Sequence, residues 1–302
     1  MQNKKGLPLL LLTSFIWGTA FVAQRKGMEY IGPFTFNGIR CLIGALFLVP
    51  LVVFTVKFAR KAGADDPAAL GNYNSRRSLM VGGILCGLLM FTASSLQQYG
   101  MVFTTAGKAG FITAMYIIIV PILGLFIGKK VRPILWLCVA LAIAGLFLLT
   151  MKEDLTVSPG DLLVLACALF FSLHILVIDH YTVRTNAVGL SAVQLLITGI
   201  LSIPCIIIFE KVDWDMVMEC AIPILYAGVM SCGVAYTLQI VAQKFTEPTL
   251  ASLVLSLESV FAVLAGVVVL GEVISMRELT GCILMFVAII LAQLPEKKLV
   301  NK

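Results

Sequence analysis

Apolar runs of about 17–24 residues alternate with short polar breaks along this chain, and the alternation recurs ten times. A helix needs roughly 20 apolar residues to cross about 30 Å of hydrocarbon. The pattern predicts spans near residues 8–24, 34–56, 79–98, 105–128, 133–151, 160–178, 188–209, 219–240, 248–270 and 277–294. A barrel is disfavoured, because the runs lack the two-residue alternation of a lipid-facing strand. Helices satisfy their own backbone hydrogen bonds, as the hydrocarbon demands. The expected class is an all-α integral membrane protein with ten transmembrane helices and little chain outside the bilayer. Lys4 and Lys5 precede the first run as they would in a signal peptide. No cleavage-like small-residue site leads into a soluble domain, so that run reads as a retained helix.

Composition agrees with the pattern. Of 302 residues, 60% are hydrophobic and 13% charged, and the mean hydropathy is +1.03. Such a chain cannot supply the wet surface of a soluble domain.

Charge then orients the spans. With the N-terminus inside, ten spans return the C-terminus to the same side. The cytoplasmic segments hold fifteen basic residues: Lys4, Lys5, Lys57, Arg60, Lys61, Arg76, Arg77, Lys129, Lys130, Arg132, Arg184, Lys244, Lys297, Lys298 and Lys302. The opposite side holds five, namely Arg25, Lys26, Lys152, Lys211 and Arg277, and Arg40 and Lys108 lie within or at the edge of spans. This is the positive-inside bias, and it predicts a multi-pass protein with both termini cytoplasmic. The net charge of +6 is thus a topology signal. It is no nucleic-acid footprint, because the basic residues are scattered over short loops.

The longest break, 58–77, has loop composition and no catalytic pattern. Eight cysteines stand singly at 41, 86, 138, 167, 205, 220, 232 and 282. None forms a CxxC pair, so they read as small buried hydrophobes rather than disulfides or metal ligands.

The two halves can be laid over each other. Residues 104–131 align without gaps with 246–273, and the same offset pairs Gln97 with Gln239 and Phe103 with Phe245. Earlier in the chain a second offset pairs Trp17 with Phe171, Arg40 with Gln194 and Pro50 with Pro204. Five spans per half is an odd number, so the second half runs through the bilayer in the opposite sense. The expected units are residues 1–151 and 152–302, one repeat each, with helices 1–5 and 6–10. An inverted repeat offers two arrangements of similar energy, one open to each side, with a site near the pseudo-symmetry axis. Duplication alone can also leave such a repeat behind.

Particular motifs carry a family resemblance. Trp17-Gly18-Thr19-Ala20-Phe21, Asn37-x-x-Arg40, and the fourth span with Val120-Pro121 and its Lys129-Lys130 ending resemble the EamA-type carriers of the drug/metabolite transporter superfamily. Residues 251–272 resemble that family's ninth-helix signature, a Glu-Pro pair before a small and apolar run ending in Gly-Glu. Here the pair is Glu258-Ser259 and the Gly271-Glu272 ending is kept, so one expected proline distortion is removed. The resemblance covers nearly the whole chain. It implies two inverted five-helix repeats around a central cavity, in a plasma-membrane carrier that commonly exports amino acids or related small metabolites; some members import, and many have no assigned solute. The alternative is an importer, or a multidrug carrier for lipophilic compounds if the polar residues pair with one another and leave an apolar pocket.

Candidate working residues lie within the spans. Arg40 sits seven residues into an apolar run, where a charge has an apparent insertion cost of roughly 2.5–3.5 kcal/mol near the centre. Asn37, Arg40 and Gly44 share one helical face. Arg40 can meet a substrate carboxylate, or else snorkel or anchor a helix pair. Glu258 falls near the middle of the ninth span. A carboxylate there tends to gain a proton when dry and lose it when wetted, which proton coupling requires. A helix-to-helix hydrogen bond or contact with a substrate amine explains it equally well. Gln97 and Gln239 donate and accept, suiting polar solutes or helix bridging. Tyr99, Tyr116 and Tyr236 offer an aromatic surface with a polar tip. Trp17 lies away from the interfacial belt and reads as cavity wall or lipid-facing packing. His174, opposite Ala20 in the repeat, reads as cavity lining or packing. Lys108 could attract an anion or snorkel. Ala106, Gly110 and Ala114, like Gly83 and Gly87, are spaced for close helix packing.

Ser252, Ser256 and Ser259 fall on one regular helical face, with no gathering of carboxylates and hydroxyls beside a broken helix, so nothing marks a sodium site. The partners expected are membrane lipids and a small-molecule substrate, with no nucleic acid, and a monomer or homodimer as the assembly. An intramembrane enzyme is the main competing class, beside a channel or a non-transporting helper subunit. His174 and His180 are the only histidines and HExxH is absent, as are glycine motifs for phosphate or dinucleotides. No catalytic residue, metal or cofactor is expected.

Overall fold

The computed structural model describes residues 5–61, 73–104, 106–150, 157–270 and 274–294. Most of the 58–77 loop and the Gly271-Glu272 ending lie outside them. The described regular structure is helical throughout: α1 (Gly6–Gly27), α2 (Pro33–Lys61), α3 (Tyr73–Gly100), α4 (Ala106–Thr113), α5 (Tyr116–Phe126), α6 (Pro133–Thr150), α7 (Pro159–Thr182), α8 (Ala187–Phe209), α9 (Trp214–Glu219) and α10 (Ala221–Tyr226) come first. A π-helical stretch (Ala227–Ala235) follows, then α11 (Tyr236–Gln243), α12 (Pro248–Leu255), α13 (Glu258–Leu270) and α14 (Met276–Ala292). Among the described residues, nine helical stretches are long and apolar enough to cross a membrane. Each overlaps one of the predicted runs. The remaining run is occupied by α14, an apolar helix of 17 residues. The protein is an all-α, multi-pass membrane protein.

Local chemistry sets the helix ends. Proline is the first residue of α2, α6, α7 and α12, where its missing amide hydrogen is no loss. Ser158 with Asp161, and Ser275 with Glu278, form reciprocal capping boxes at α7 and α14. The start of α2 borrows its cap: the Glu210 carboxylate, just past α8, accepts from the amides of Phe34 and Thr35 at 2.8 Å each. That contact ties the beginning of α2 to the end of α8.

Packing follows from these ends. α2 lies along α8 and the π stretch, α3 along α7 and α8, α1 along α13 and α11, α5 along α7, and α6 along α14. In lipid, helices gain little from hydrophobic exclusion and associate through close contact. The α6–α14 crossing shows this. A Cβ on Gly145 would lie 2.7 Å from the Gly281 carbonyl oxygen, and one on Gly281 would lie 2.5 Å from that of Gly145. Gly83 and Gly87 face Val193 and Ile197 of α8. Gly110, by contrast, has open space beside it, so the Ala106-Gly110-Ala114 spacing is no packing track at its centre.

Two predicted spans are broken where continuous helices were expected. α4 stops at Thr113 and α5 starts at Tyr116; α12 stops at Leu255 and α13 starts at Glu258. In the first break Met115 N donates to Ile112 O and Ile117 N to Ala114 O. In the second, Leu257 N donates to Val254 O and Ser259 N to Ser256 O. These are tight i→i+3 turns, and they fall at the same place in the 104–131 and 246–273 alignment. The Ser252-Ser256-Ser259 stripe is therefore not a regular helical face, because Ser256 lies inside the break. The distortion exists although Ser259 stands where the family signature has proline.

Candidate functional site

The breaks bring α5 and α13 together at a cavity in the middle of the bundle. Tyr116 and Glu258 are the first residues of these two helices, and the Tyr116 hydroxyl donates to Glu258 Oε1 at 3.1 Å. Glu258 is only 8% exposed. Its other carboxylate oxygen has no protein partner among the described residues.

The opposing charge comes from α2. Arg40 is 4% exposed and lines the same cavity. Its Nε and Nη2 both donate to Asn37 Oδ1, at 3.2 and 2.9 Å. Asn37 Nδ2 donates to Ser94 Oγ at 2.9 Å, and that hydroxyl donates to Met90 O at 2.7 Å. The Phe36 ring lies 5.8 Å from the guanidinium carbon. Among the described residues no carboxylate pairs with Arg40; the ion pairs there are Lys129–Asp179 and Arg132–Glu247.

Aromatic rings form much of the remaining wall. Trp17 and Tyr236 pack with ring centroids 4.8 Å apart, and Tyr236 lies 6.1 Å from His174. Trp17 Nε1 donates to Ser231 O at 3.3 Å. This carbonyl belongs to the π stretch, an irregularity of the kind often found at functional sites. His174 shares a hydrogen bond of 3.0 Å with Gln194 Oε1. Gln97 Nε2 donates to Thr113 Oγ1 at 3.1 Å. Gln239 Oε1 is buried with no partner among the described residues, although a buried amide oxygen normally finds one.

Of the residues singled out in the sequence, Trp17, Arg40, Gln97, Tyr116, His174, Tyr236, Gln239 and Glu258 thus meet around one cavity. Asn37 stands behind Arg40 and does not line it. Tyr99 points elsewhere: it is 50% exposed and packs edge-on against Phe103, because its position on α3 turns it away from the bundle. The side chain of Lys108 lies outside the described residues. Reasoning from sequence passed over Phe21, Gln24, Thr113, Ile175, Ser231 and Leu255 in this wall. The repeat offsets held the missing signal, since they match Phe21 to Ile175 and Thr113 to Leu255.

The space open to water centres in this cavity is about 60 Å³, room for a few waters or part of a small solute. A second cavity, about 220 Å³ on the same measure, lies by Lys129, Asp179, Glu247 and Thr249. The central one is smaller, but it gathers the buried charges. Among the described residues no group of three or more His, Cys, Asp or Glu side chains is placed to hold a metal ion.

A multi-pass helical bundle enclosing a polar central cavity is an architecture that membrane carriers use. The profile of the EamA-like transporter family matches this chain twice, over residues 4–151 and 158–294, and the chain belongs to that family, within the drug/metabolite transporter superfamily. It is a secondary transporter. An uncharacterized transporter of Archaeoglobus fulgidus is 30% identical over 288 residues, covering 94% of this chain and 84% of that protein. The uncharacterized transporter YoaV of Bacillus subtilis is 25% identical over 284 residues, with 91% and 92% covered. The chloroplastic WAT1-related protein At3g02690 of Arabidopsis thaliana is 23% identical over 301 residues, with 95% and 69% covered. One crystal structure superposes with a TM-score of 0.78 over 96% of this chain and 97% of its own, at 18% identity. That likeness speaks to the fold alone.

Proposed function

We propose that this transporter moves amino acids or related small metabolites outward across the plasma membrane by alternating access. Ten spans form two inverted repeats, residues 1–151 and 152–302, with both termini cytoplasmic. The observation that carries this reading is that the cavity is walled by residues matched between the halves. Trp17 faces it with Phe171, Phe21 with Ile175, Gln97 with Gln239, Thr113 with Leu255, and Tyr116 with Glu258.

The packing supports the same symmetry. α1 packs on α13 as α7 packs on α5, and α2 packs on the π stretch as α8 packs on α3. The α2–α8 and α6–α14 contacts each join a helix to its own mate. A site on such an axis can be opened to either side by rocking one half against the other, which is how inverted repeats give alternating access.

Substrate chemistry follows from the two charges. Arg40 offers donors to a carboxylate, Glu258 offers a free oxygen to an ammonium, and the glutamine amides and aromatic faces serve the neutral parts. The residues proposed to contact substrate are Trp17, Arg40, Gln97, Tyr116, His174, Tyr236, Gln239 and Glu258. Glu258 is also the proposed carrier of a coupled proton.

A solute screen in proteoliposomes tests the reading. Counterflow of one or more amino acids is expected, saturable and exchangeable. Uptake confined to lipophilic cations would replace it with a multidrug carrier, and chemical turnover of a solute would replace it with an enzyme. Orientation is tested separately with an impermeant maleimide applied to intact cells. A cysteine at Asp215 should react and one at Arg184 should be protected; the reverse pattern would overturn the topology.

A further inference from the structure

We infer that Asn37 is a positioning residue that fixes which edge of the Arg40 guanidinium meets a carboxylate, and that its neutrality keeps the cation available to an anionic ligand. This deepens the proposed reading of Arg40 and rests on it.

The geometry is specific. Nε and Nη2 form one side of the guanidinium fork, and both are taken by Asn37 Oδ1. Five N–H donors exist on the group, so Nη1 and the outer hydrogen of Nη2 are left without a protein acceptor among the described residues, on a side chain that lines the cavity. A planar carboxylate fits such an end through two parallel hydrogen bonds. The amide orientation is determined as well. Ser94 spends its proton on Met90 O, so its oxygen must accept from Asn37 Nδ2. The Asn37 carbonyl is thereby turned to Arg40.

A neutral acceptor at this place holds the arginine without cancelling its charge. A buried cation lacking a counter-ion is costly, and a ligand carboxylate would relieve the cost. The second half shows what the position does without this task. Its mates of Asn37 and Arg40 are Ser191 and Gln194, and Ser191 merely shares a hydrogen bond of 2.9 Å with the Thr237 hydroxyl, linking α8 to α11. Tying neighbouring helices is the shared role, and holding a charge is particular to Asn37.

Asn37→Asp separates the two roles, because aspartate has the same shape and can accept from Ser94 once that hydroxyl turns from Met90 O. It would pair with Arg40 and cancel the charge of that guanidinium. The first measurement is the thermal stability of the purified full-length protein with acetate or acetamide as probe. Acetate should stabilise the wild type and acetamide should not, while N37D should melt near the wild-type temperature and need at least tenfold more acetate for the same shift. The second is amino-acid counterflow in proteoliposomes, where N37D should raise KM at least tenfold for acids, change the maximal rate little, and spare the corresponding amino-acid amides. Ser94→Ala is the structural control, expected to lower stability with a smaller change in KM. Equal acetate responses in wild type and N37D, or no acetate response in the wild type, would overturn the inference. If counterflow is confined to solutes lacking a carboxylate, the amino-acid reading falls, and a loss of acetate stabilisation in N37D would still uphold the role of Asn37.

Discussion

Glu258 has one oxygen engaged by Tyr116 and one without a protein partner among the described residues, so a proton or an ammonium can bind there without first displacing one of their side chains. Replacing Glu258 with Gln keeps the size and an acceptor for Tyr116 while removing the titratable group. The expected result is exchange that persists and no longer responds to a pH gradient; unchanged pH-driven accumulation would leave Glu258 a binding or structural role. Tyr116→Phe deletes only the donor. It should lower stability by about 1 kcal/mol, the scale of interhelical hydrogen bonds in bilayers, measured by unfolding in mixed micelles. At this scale the sequence was largely legible, because a charged side chain in an apolar run stands out. Tyr99 misled because nothing in its neighbourhood marks which side of α3 it occupies. Asn37 was noticed for its spacing to Arg40, and only coordinates could distinguish touching the solute from touching the arginine.

Helices were legible to the extent that hydropathy defines them. Each predicted run contains a helix, since twenty apolar residues in lipid have few alternatives to helical hydrogen bonding. The breaks at 114–115 and 256–257 were invisible, because no glycine or proline stands at those positions and hydropathy carries no information about hydrogen-bond register. The π stretch was missed for the same reason. Close crossings were only partly readable: glycine spacing found Gly83 and Gly87 but misjudged Gly110. The Gly145–Gly281 contact gives the clearest test of an element. Gly145→Leu would force α6 and α14 apart, and overpacking of this kind costs about 1–3 kcal/mol. A lowered unfolding midpoint is expected, with a smaller change for Gly110→Leu, whose surroundings are open.

Across the whole molecule, two ion pairs join the halves at one end. Lys129 pairs with Asp179 and Arg132 with Glu247, and Arg132 Nη2 also donates to Ala292 O at 3.0 Å. In the proposed topology this end is cytoplasmic, so pairs that join the halves here would favour a form closed to the inside. Asp179→Asn combined with Glu247→Gln should shift the population toward an inward-open form. Faster labelling from inside of a cysteine placed at Leu255 would show it, and unchanged labelling would assign the pairs a purely structural role. In the proposed inverted repeat, the Tyr116–Glu258 contact has a further consequence for ancestry. Two copies of the first half, assembled face to face, would set tyrosine against tyrosine. Two copies of the second would set carboxylate against carboxylate, with mutual repulsion and no donor between them. The donor–acceptor match across the axis is therefore open only to a chain whose halves have diverged, and neither half can regenerate this centre by pairing with itself.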